Sequence, residues 1–428
     1  MRAHAKNIGF ARTGFNRADP PHPPEDWFDP WLSEGTTAGV FAEDREDLRI
    51  EWSPRQAPEI VRTASAGVVV RTARGEAHRS VGAAPGTRRL PADDPLRWLE
   101  RVAERIQACA PGDAVFALRW IEHVQEVLAR SETRGACRET RRARRLRVEV
   151  RVSRGPRTAT ATADAVLRPG REPDAERLAR TVVDRAARRL SSRPATPGRG
   201  AVVLAPGVAG MLVHELVGHA LEGDTVARGG SPLARERPRF SCTDLRVIDD
   251  PRRSRAPWRA DDEGEPAAPA LLIDEGRIVG HLLDRASANA LGGCPTGHAR
   301  RSSYLAPIRP RMGCTFIAAG RLDPREILDS VDRGVYVRRM DAAAVDLDAG
   351  AATFRVTDAD DVERGAIGDP LDPFLMTLTV ADLIGSLDRI GNDLEFDVCV
   401  GSCVREGQPL STSVGAPTIR LRSASILS

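Results

Sequence analysis

The stretch Gly210–Asp224 reads GMLVHELVGHALEGD, two imidazoles and an adjacent carboxylate set in an otherwise apolar helical pattern. Burying such groups without partners is costly, so their presence there needs a reason. Neutral imidazole is a good zinc ligand, and a glutamate beside the first histidine can serve as general base over a metal site. His214 and His219 are five residues apart, about 140° out of phase on a regular helix. They converge only if the helix widens through a π-bulge or ends near Gly218, and glycine permits either. Two histidines leave a site one protein ligand short. His281, His298, the acidic residues and several cysteines qualify by type. The glycine-rich segment VGSCVREGQ, 400–408, is the most plausible carrier, because a loop can present a thiolate to a helix. Cys399, on an apolar strand pattern four residues before Cys403, reads as a core thiol. The residue types alone leave the choice open.

Working outward, the residues after Gly200 predict one prominent helix and many short strands. Ala270–Ile273 and Arg277–Leu283 flank Asp274-Glu275-Gly276, a hairpin signal. Val335–Arg339, Ala351–Thr357, Leu394–Val400 and Thr418–Leu421 are further strand candidates. Upstream, Asp47–Trp52 and Gly67–Thr72 read as strands. Asp94–Cys109 and Val115–Arg130 carry apolar residues at helical spacing. Arg145–Val152 and Arg157–Leu167 return to the two-residue period, and Asp174–Leu190 is a further helix. The turn-rich SSRPATPGRG, 191–200, is the best boundary in the chain. The reading is an α+β protein. Residues 1–35 form an extended, proline-rich arm, 36–190 a mixed α/β domain, 191–200 a linker, and 201–428 a strand-rich domain built around the His214 helix.

Composition narrows the class. At 428 residues the chain is long enough for about two or three domains. No apolar run approaches the roughly 20 residues that span a bilayer, so no membrane role is expected. Lys6 is the only lysine, so 62 of the 63 basic residues are arginine, interleaved with 60 acidic ones. That bias reads as a GC-rich genome rather than as an anion-binding device. The densest basic stretch, Arg138–Arg154, has no aromatic side chains to stack bases on, which argues against a nucleic-acid partner. Seven cysteines without framework spacing point to reduced thiols. The N-terminus lacks an apolar signal-peptide core, so a cytoplasmic location is expected.

The helix motif, HELVGHALEGD from His214 to Asp224, closely resembles that of the TldD/PmbA family of metallopeptidases. Further blocks resemble the family in the same order: Asp261–Gly264, Leu271–Gly280, Cys294–Gly297 running to Arg300–Tyr304, and Pro310–Met312. Ile390–Leu394 and Gly401–Gln408 resemble its C-terminal signature. The likeness covers Ala201 to the C-terminus well and Gly39–Leu190 more loosely. It implies that His214, His219 and Cys403 hold one zinc ion and that Glu215 is the catalytic base. It also implies a heterodimer with a companion of the TldE/PmbA type, which lacks the metal motif. One departure is Cys403-Val404-Arg405, where the family usually reads Cys-Gly-Lys.

The activity implied is zinc-dependent hydrolysis of peptide or amide bonds in short or unfolded peptides or modified-peptide precursors. Tyr304 and Arg301, from the block resembling PTGxxRRxSY, are candidates for binding substrate or the developing oxyanion. Asp224 is a candidate to support His219 from behind. An alternative keeps the chemistry but trims an aminoacyl or peptidyl small-molecule conjugate in antibiotic or other secondary-metabolite biosynthesis. A second alternative is a non-catalytic interaction subunit, which would be expected to lack one of the four motif residues.

Overall fold

The computed structural model describes residues 37–54, 56–72, 75–81, 95–131, 134–168, 173–398 and 401–427. The expected arm, 1–35, and Cys399 lie outside these residues.

Long strands dominate the N-terminal half. An antiparallel sheet runs in the order β3-β2-β1-β4-β5-β6. Its strands are β1 (Thr37–Ser53), β2 (Gln56–Thr72), β3 (Gly75–Val81), β4 (Val115–Ser131), β5 (Gly135–Arg154) and β6 (Arg157–Leu167). Two helices, Pro95–Cys109 and Ala175–Arg189, cover one part of one face. The first buries Trp98, Leu99, Val102 and Ile106 at helical spacing. The second starts at Asp174, whose carboxylate accepts the backbone N–H groups of Glu176 and Arg177.

The helix expected over Val115–Arg130 is instead β4. Val115, Leu118, Ile121 and Leu128 fit a helical repeat, but Phe116, Leu118 and Trp120 also fit a two-residue repeat, and tertiary pairing decides. β4 is laddered along its length to β1 on one side and to β5 on the other. The alternation then drives Phe116, Leu118 and Trp120 into the core under the two helices.

At roughly 3.4 Å per residue a 17-residue strand is about 58 Å long, enough to serve two partners. One end of the sheet packs on its helices. The other carries a small cluster of Phe41, Val69, Val127 and Ala129 that receives Tyr304 from the C-terminal half.

Beyond residue 190, Gly198–Gly200 of the expected linker already belong to β7 (Gly198–Leu204), and Arg193 bridges to Leu371. β7 lies between Arg333–Asp346 and Ile419–Leu427. Phe374–Thr379 and Ala351–Glu363 continue that sheet. Because Ala351–Glu363 also pairs with Arg333–Asp346, these five strands close on themselves. A second sheet runs from Arg277–Ile278 through Ala270–Asp274, Val247–Asp249, Cys314–Ile317 and Ser413–Ala416 to Glu395–Phe396. Among the described residues of the strand expected over Leu394–Val400, only Glu395–Phe396 is laddered. The helical segment from Ala209 to Leu221 packs into the common core. Its approach is close: a Cβ on Gly210 would sit 2.6 Å from the backbone nitrogen of Gly415.

Candidate metal centre

The helix carrying the two histidines is irregular where they need it to be. Ala209–Val213 is α-helical, His214–Gly218 forms a π turn, and His219–Leu221 tightens to a 3₁₀ turn. The His219 N–H donates to the His214 carbonyl, five residues back. This wider turn rotates His219 toward His214, and the ring centroids lie 5.0 Å apart at 80°. Gly218 permits it, since a Cβ there would fall 2.0 Å from the Met312 sulfur.

Cys403 arrives from a two-stranded hairpin, Ser402–Arg405 paired with Gln408–Ser411. Its turn puts Glu406 and Gly407 at φ of 48° and 75°. Alternation along the strand turns Cys403 inward and leaves Val404 exposed. The Cys403 Sγ lies 3.3 Å from His219 Nε2. One potential ligand atom from each of His214, His219 and Cys403 falls within 4.8 Å of the others, and all three residues are buried.

Electrostatics favour the thiolate. Burial pushes the Cys403 thiol up, but the His219 and His214 rings outweigh it and hold it well below the usual thiol range. Burial also opposes charge on His219, while Cys403 and then Glu222 raise that ring well above an ordinary imidazole. His214 is raised for the same reason, by Cys403 and Glu215 against burial. Its Nδ1 is buried with no hydrogen-bond partner. Two buried imidazoles, one with an orphaned nitrogen, converging on a buried thiolate form a donor set that suits zinc. Glu215 is the partly exposed member, its Oε2 3.8 Å from His219 Nε2.

The carboxylate behind His219 is Glu222, which the sequence reading did not single out. Its Oε2 accepts from His219 Nδ1 at 3.0 Å, and Glu222 is fully buried. Asp224 stands one step further back. It receives Arg405 at 2.9 Å on each oxygen, and Arg309 at 3.2 Å, while Arg405 Nη1 also donates to Glu222 at 2.5 Å. Arg405 is therefore the clasp between the hairpin and the helix. Arg311, fully buried, donates to the Cys403 carbonyl at 3.1 Å and to its Sγ at 3.3 Å. The signal for Glu222 was present: three residues after His219 is one helical turn, on the same face.

Tyr304 and Arg301 are engaged elsewhere. The Tyr304 N–H donates to Glu43, its hydroxyl pairs with Ser80 at 2.5 Å, and its ring lies over Gly67. Arg301 donates to Glu76 at 2.9 Å and stacks over Phe41. Both side chains join the C-terminal half to β1–β3, and neither shares a hydrogen bond or ion pair with His214, Glu215, His219 or Cys403. Their block docks on the sheet because Asp262, beside it, takes Arg141 of β5 at 2.5 Å and the Arg301 N–H at 2.7 Å. Of the other candidate ligands, His298 is held by Asp249 and Thr296. His281 is lowered by burial and by Arg237, and it lies outside the cluster.

Comparison with known proteins bears on this half of the chain. Residues 197–428 match the profile of the PmbA/TldA metallopeptidase C-terminal domain. That defines the class, a metallopeptidase-type domain behind a long-stranded sheet. The chain belongs to the PmbA/TldD family. It is 32% identical over 240 residues to a metalloprotease TldD homolog of Buchnera aphidicola, covering 55% of this chain and 50% of that protein. A TldD homolog of Haemophilus influenzae is 30% identical over 250 residues, 57% of this chain and 51% of the relative. A zinc metalloprotease TldD homolog of Saccharolobus solfataricus is 27% identical over 233 residues, 54% of this chain and 52% of the relative. The chain thus spans about half the length of the curated relatives it matches. The fold is shared more widely. TldE from Thermococcus kodakarensis superposes with a TM-score of 0.71 at 17% identity, over 91% of this chain and 96% of that one. No described helix is long and apolar enough to cross a membrane.

Proposed function

We propose that this chain hydrolyses peptide or amide bonds in short or unfolded peptides or modified-peptide precursors, with one zinc ion held by His214, His219 and Cys403. The observation that carries the reading is the convergence of those three buried side chains across a π turn, with Glu215 at their exposed edge. Zinc bound there supplies a Lewis acid and makes an attacking water acidic near neutral pH. Glu215 takes the proton of the attacking water at its carboxylate and returns it to the leaving nitrogen. Glu222 holds His219 Nδ1–H, which leaves Nε2 free to face Cys403. Arg311 fixes the Cys403 backbone and stabilises negative charge on its sulfur.

In this reading the chain is the metal-bearing partner of a TldE-like subunit in the cytoplasm. The fold shared with TldE and the six free cysteines among the described residues support that placement. The test is elemental analysis of the purified chain beside Cys403→Ala and Glu215→Gln. Near one zinc per chain, lost in Cys403→Ala but kept in Glu215→Gln, with peptide hydrolysis lost in both, is the expected result. Zinc retained in full by Cys403→Ala removes Cys403 from the site. Unchanged hydrolysis by Glu215→Gln removes Glu215 as the base.

A further inference from the structure

The hairpin that brings Cys403 to the helix also forms one wall of a cleft against the N-terminal sheet. The cleft opens to solvent and holds a cavity of ≈ 80 Å³. Arg45, His123 and Gln125 of β1 and β4 line one side, Arg300 and Ser302 another, and Leu410 of the hairpin the third. No aspartate or glutamate is among its described lining residues.

Arg300 is the telling member. Its side chain is 6% exposed and stacks over Trp258 with 4.3 Å from guanidinium to ring centroid. Its polar contacts are from Nε to Asp262, at 3.4 Å, the outer limit of a hydrogen bond. Asp262 is already taken at 2.5 Å by Arg141 and at 2.7 Å by the Arg301 N–H. Neither terminal nitrogen of Arg300 has a hydrogen-bond partner among the described residues. Burial, and then repulsion from Arg141, pull this guanidinium down to about 10. Arg45 and His123 on the facing wall already share Asp47, so the Arg300 fork, whose ionic partner Asp262 meets only its Nε at 3.4 Å, is the member of the cleft with donors to spare. Planar two-pronged carboxylate is the group that such a fork fits best.

We infer that this cleft is a carboxylate subsite for the substrate, receiving either the C-terminal carboxylate of a peptide or an acidic side chain within it. The inference rests on the peptidase reading above and adds the substrate class. Position supports it: Leu410 and Cys403 are cross-strand partners, so the cleft wall begins roughly 5 Å from the Cys403 backbone.

Three dansylated peptides test it by fluorescence anisotropy on the full chain carrying Glu215→Gln, loaded with zinc. They are tetra-alanine with a free C-terminus, tetra-alanine amide, and the same amide with glutamate at its third position. One or both carboxylate peptides bind at least about tenfold tighter than the neutral amide, as a charge-assisted hydrogen-bond pair should give. The free acid alone showing the gain assigns the terminal carboxylate, and the glutamate amide alone assigns the side chain. Arg300→Gln brings the preference below about twofold, its thermal midpoint measured beside the parent to separate lost binding from lost folding, and Arg45→Gln, which gives up its bonds to Asp47 and the Ser302 carbonyl, reduces it. Equal binding of all three peptides, absence of binding by all, or a preference that survives both substitutions overturns the subsite. None of those results touches the zinc content, so the metal-centre reading stands or falls separately.

Discussion

Arg405→Ala isolates the contribution of the hairpin clasp. Arg405 Nη1 donates to Glu222 at 2.5 Å and Asp224 at 2.9 Å, and Nη2 donates to Asp224 and Thr225 at 2.9 Å. Its side chain is 6% exposed and that of Glu222 is 0% exposed. Truncation leaves the Glu222 carboxylate in the core with His219 Nδ1 at 3.0 Å and Arg311 Nε no nearer than 3.9 Å. Removing one partner of a buried ion pair costs about 3–5 kcal/mol. Asp224 adds little, because it is partly exposed and keeps Arg309 and Arg228. At roughly 2–4 °C per kcal/mol for a body of this size, the midpoint should fall by about 6–20 °C. The assay is thermal unfolding by circular dichroism with EDTA present, so that metal binding does not contribute. Arg405→Lys keeps one charge but loses the fork, and should recover about half of the loss. Zinc affinity, measured by competition with a chromophoric chelator, should fall about 10- to 100-fold in Arg405→Ala, as when the support of a ligating histidine is removed. A midpoint within about 2 °C of the parent refutes the energetic argument. A lowered midpoint with unchanged zinc affinity refutes the claim that the clasp orients His219.

Three further outcomes follow from the packing. Gly218→Ala must displace the Met312 sulfur, 2.0 Å from where the new methyl would lie, and should weaken zinc binding more than it lowers the unfolding midpoint. Gly67→Ala drives a methyl to 2.3 Å from the Tyr304 ring, and urea unfolding should show a loss of about 1–3 kcal/mol, against about 1 kcal/mol for Tyr304→Phe, which removes only the bond to Ser80. Asp164 is buried; burial pushes its carboxyl up, but Arg339, Arg145 and Arg147 outweigh it and hold it below its ordinary 3.8. Its folded value being the lower one, its stabilisation is present above about pH 4 and lost as the pH falls through that folded value. The gap in urea midpoint between the parent and Asp164→Asn should therefore be constant from about pH 5 to 7 and shrink below about pH 4. A gap that widens in acid would mean the sign is wrong.

What could be read from the residues alone divides along the range of the forces involved. Covalent spacing and helical phase carried the His214 helix: a five-residue gap is about 140° of rotation, and the glycine within it marks where a wider turn fits. The same local logic found the Pro95–Cys109 and Ala175–Arg189 helices, whose apolar stripes serve one neighbour each. It failed at Val115–Ser131, where the apolar residues satisfy both repeats and only the ladders to β1 and β5 decide. The roles of Val404 and Arg405 had no local signal in the sequence. In the fold Val404 lies exposed on a regular hairpin strand, and Arg405 reaches across 183 residues to Glu222.

That long reach also explains the reassignment of Tyr304 and Arg301. Their block combines arginine, serine and tyrosine, residue types that serve equally in substrate binding and in docking two bodies. Only the sheet opposite distinguishes the roles: Glu43, Glu76, Ser80 and Gly67 take up the polar atoms and the ring, so little of either side chain remains to meet a substrate. Arg300, next to them, has the same residue type as Arg301 and the opposite standing, because Arg141 and the Arg301 N–H occupy the carboxylate it would otherwise use. One arginine with both terminal nitrogens bonded and one with them open, adjacent in sequence, are indistinguishable until their acceptors are counted. That count directs the substrate search to the cleft beside Arg300.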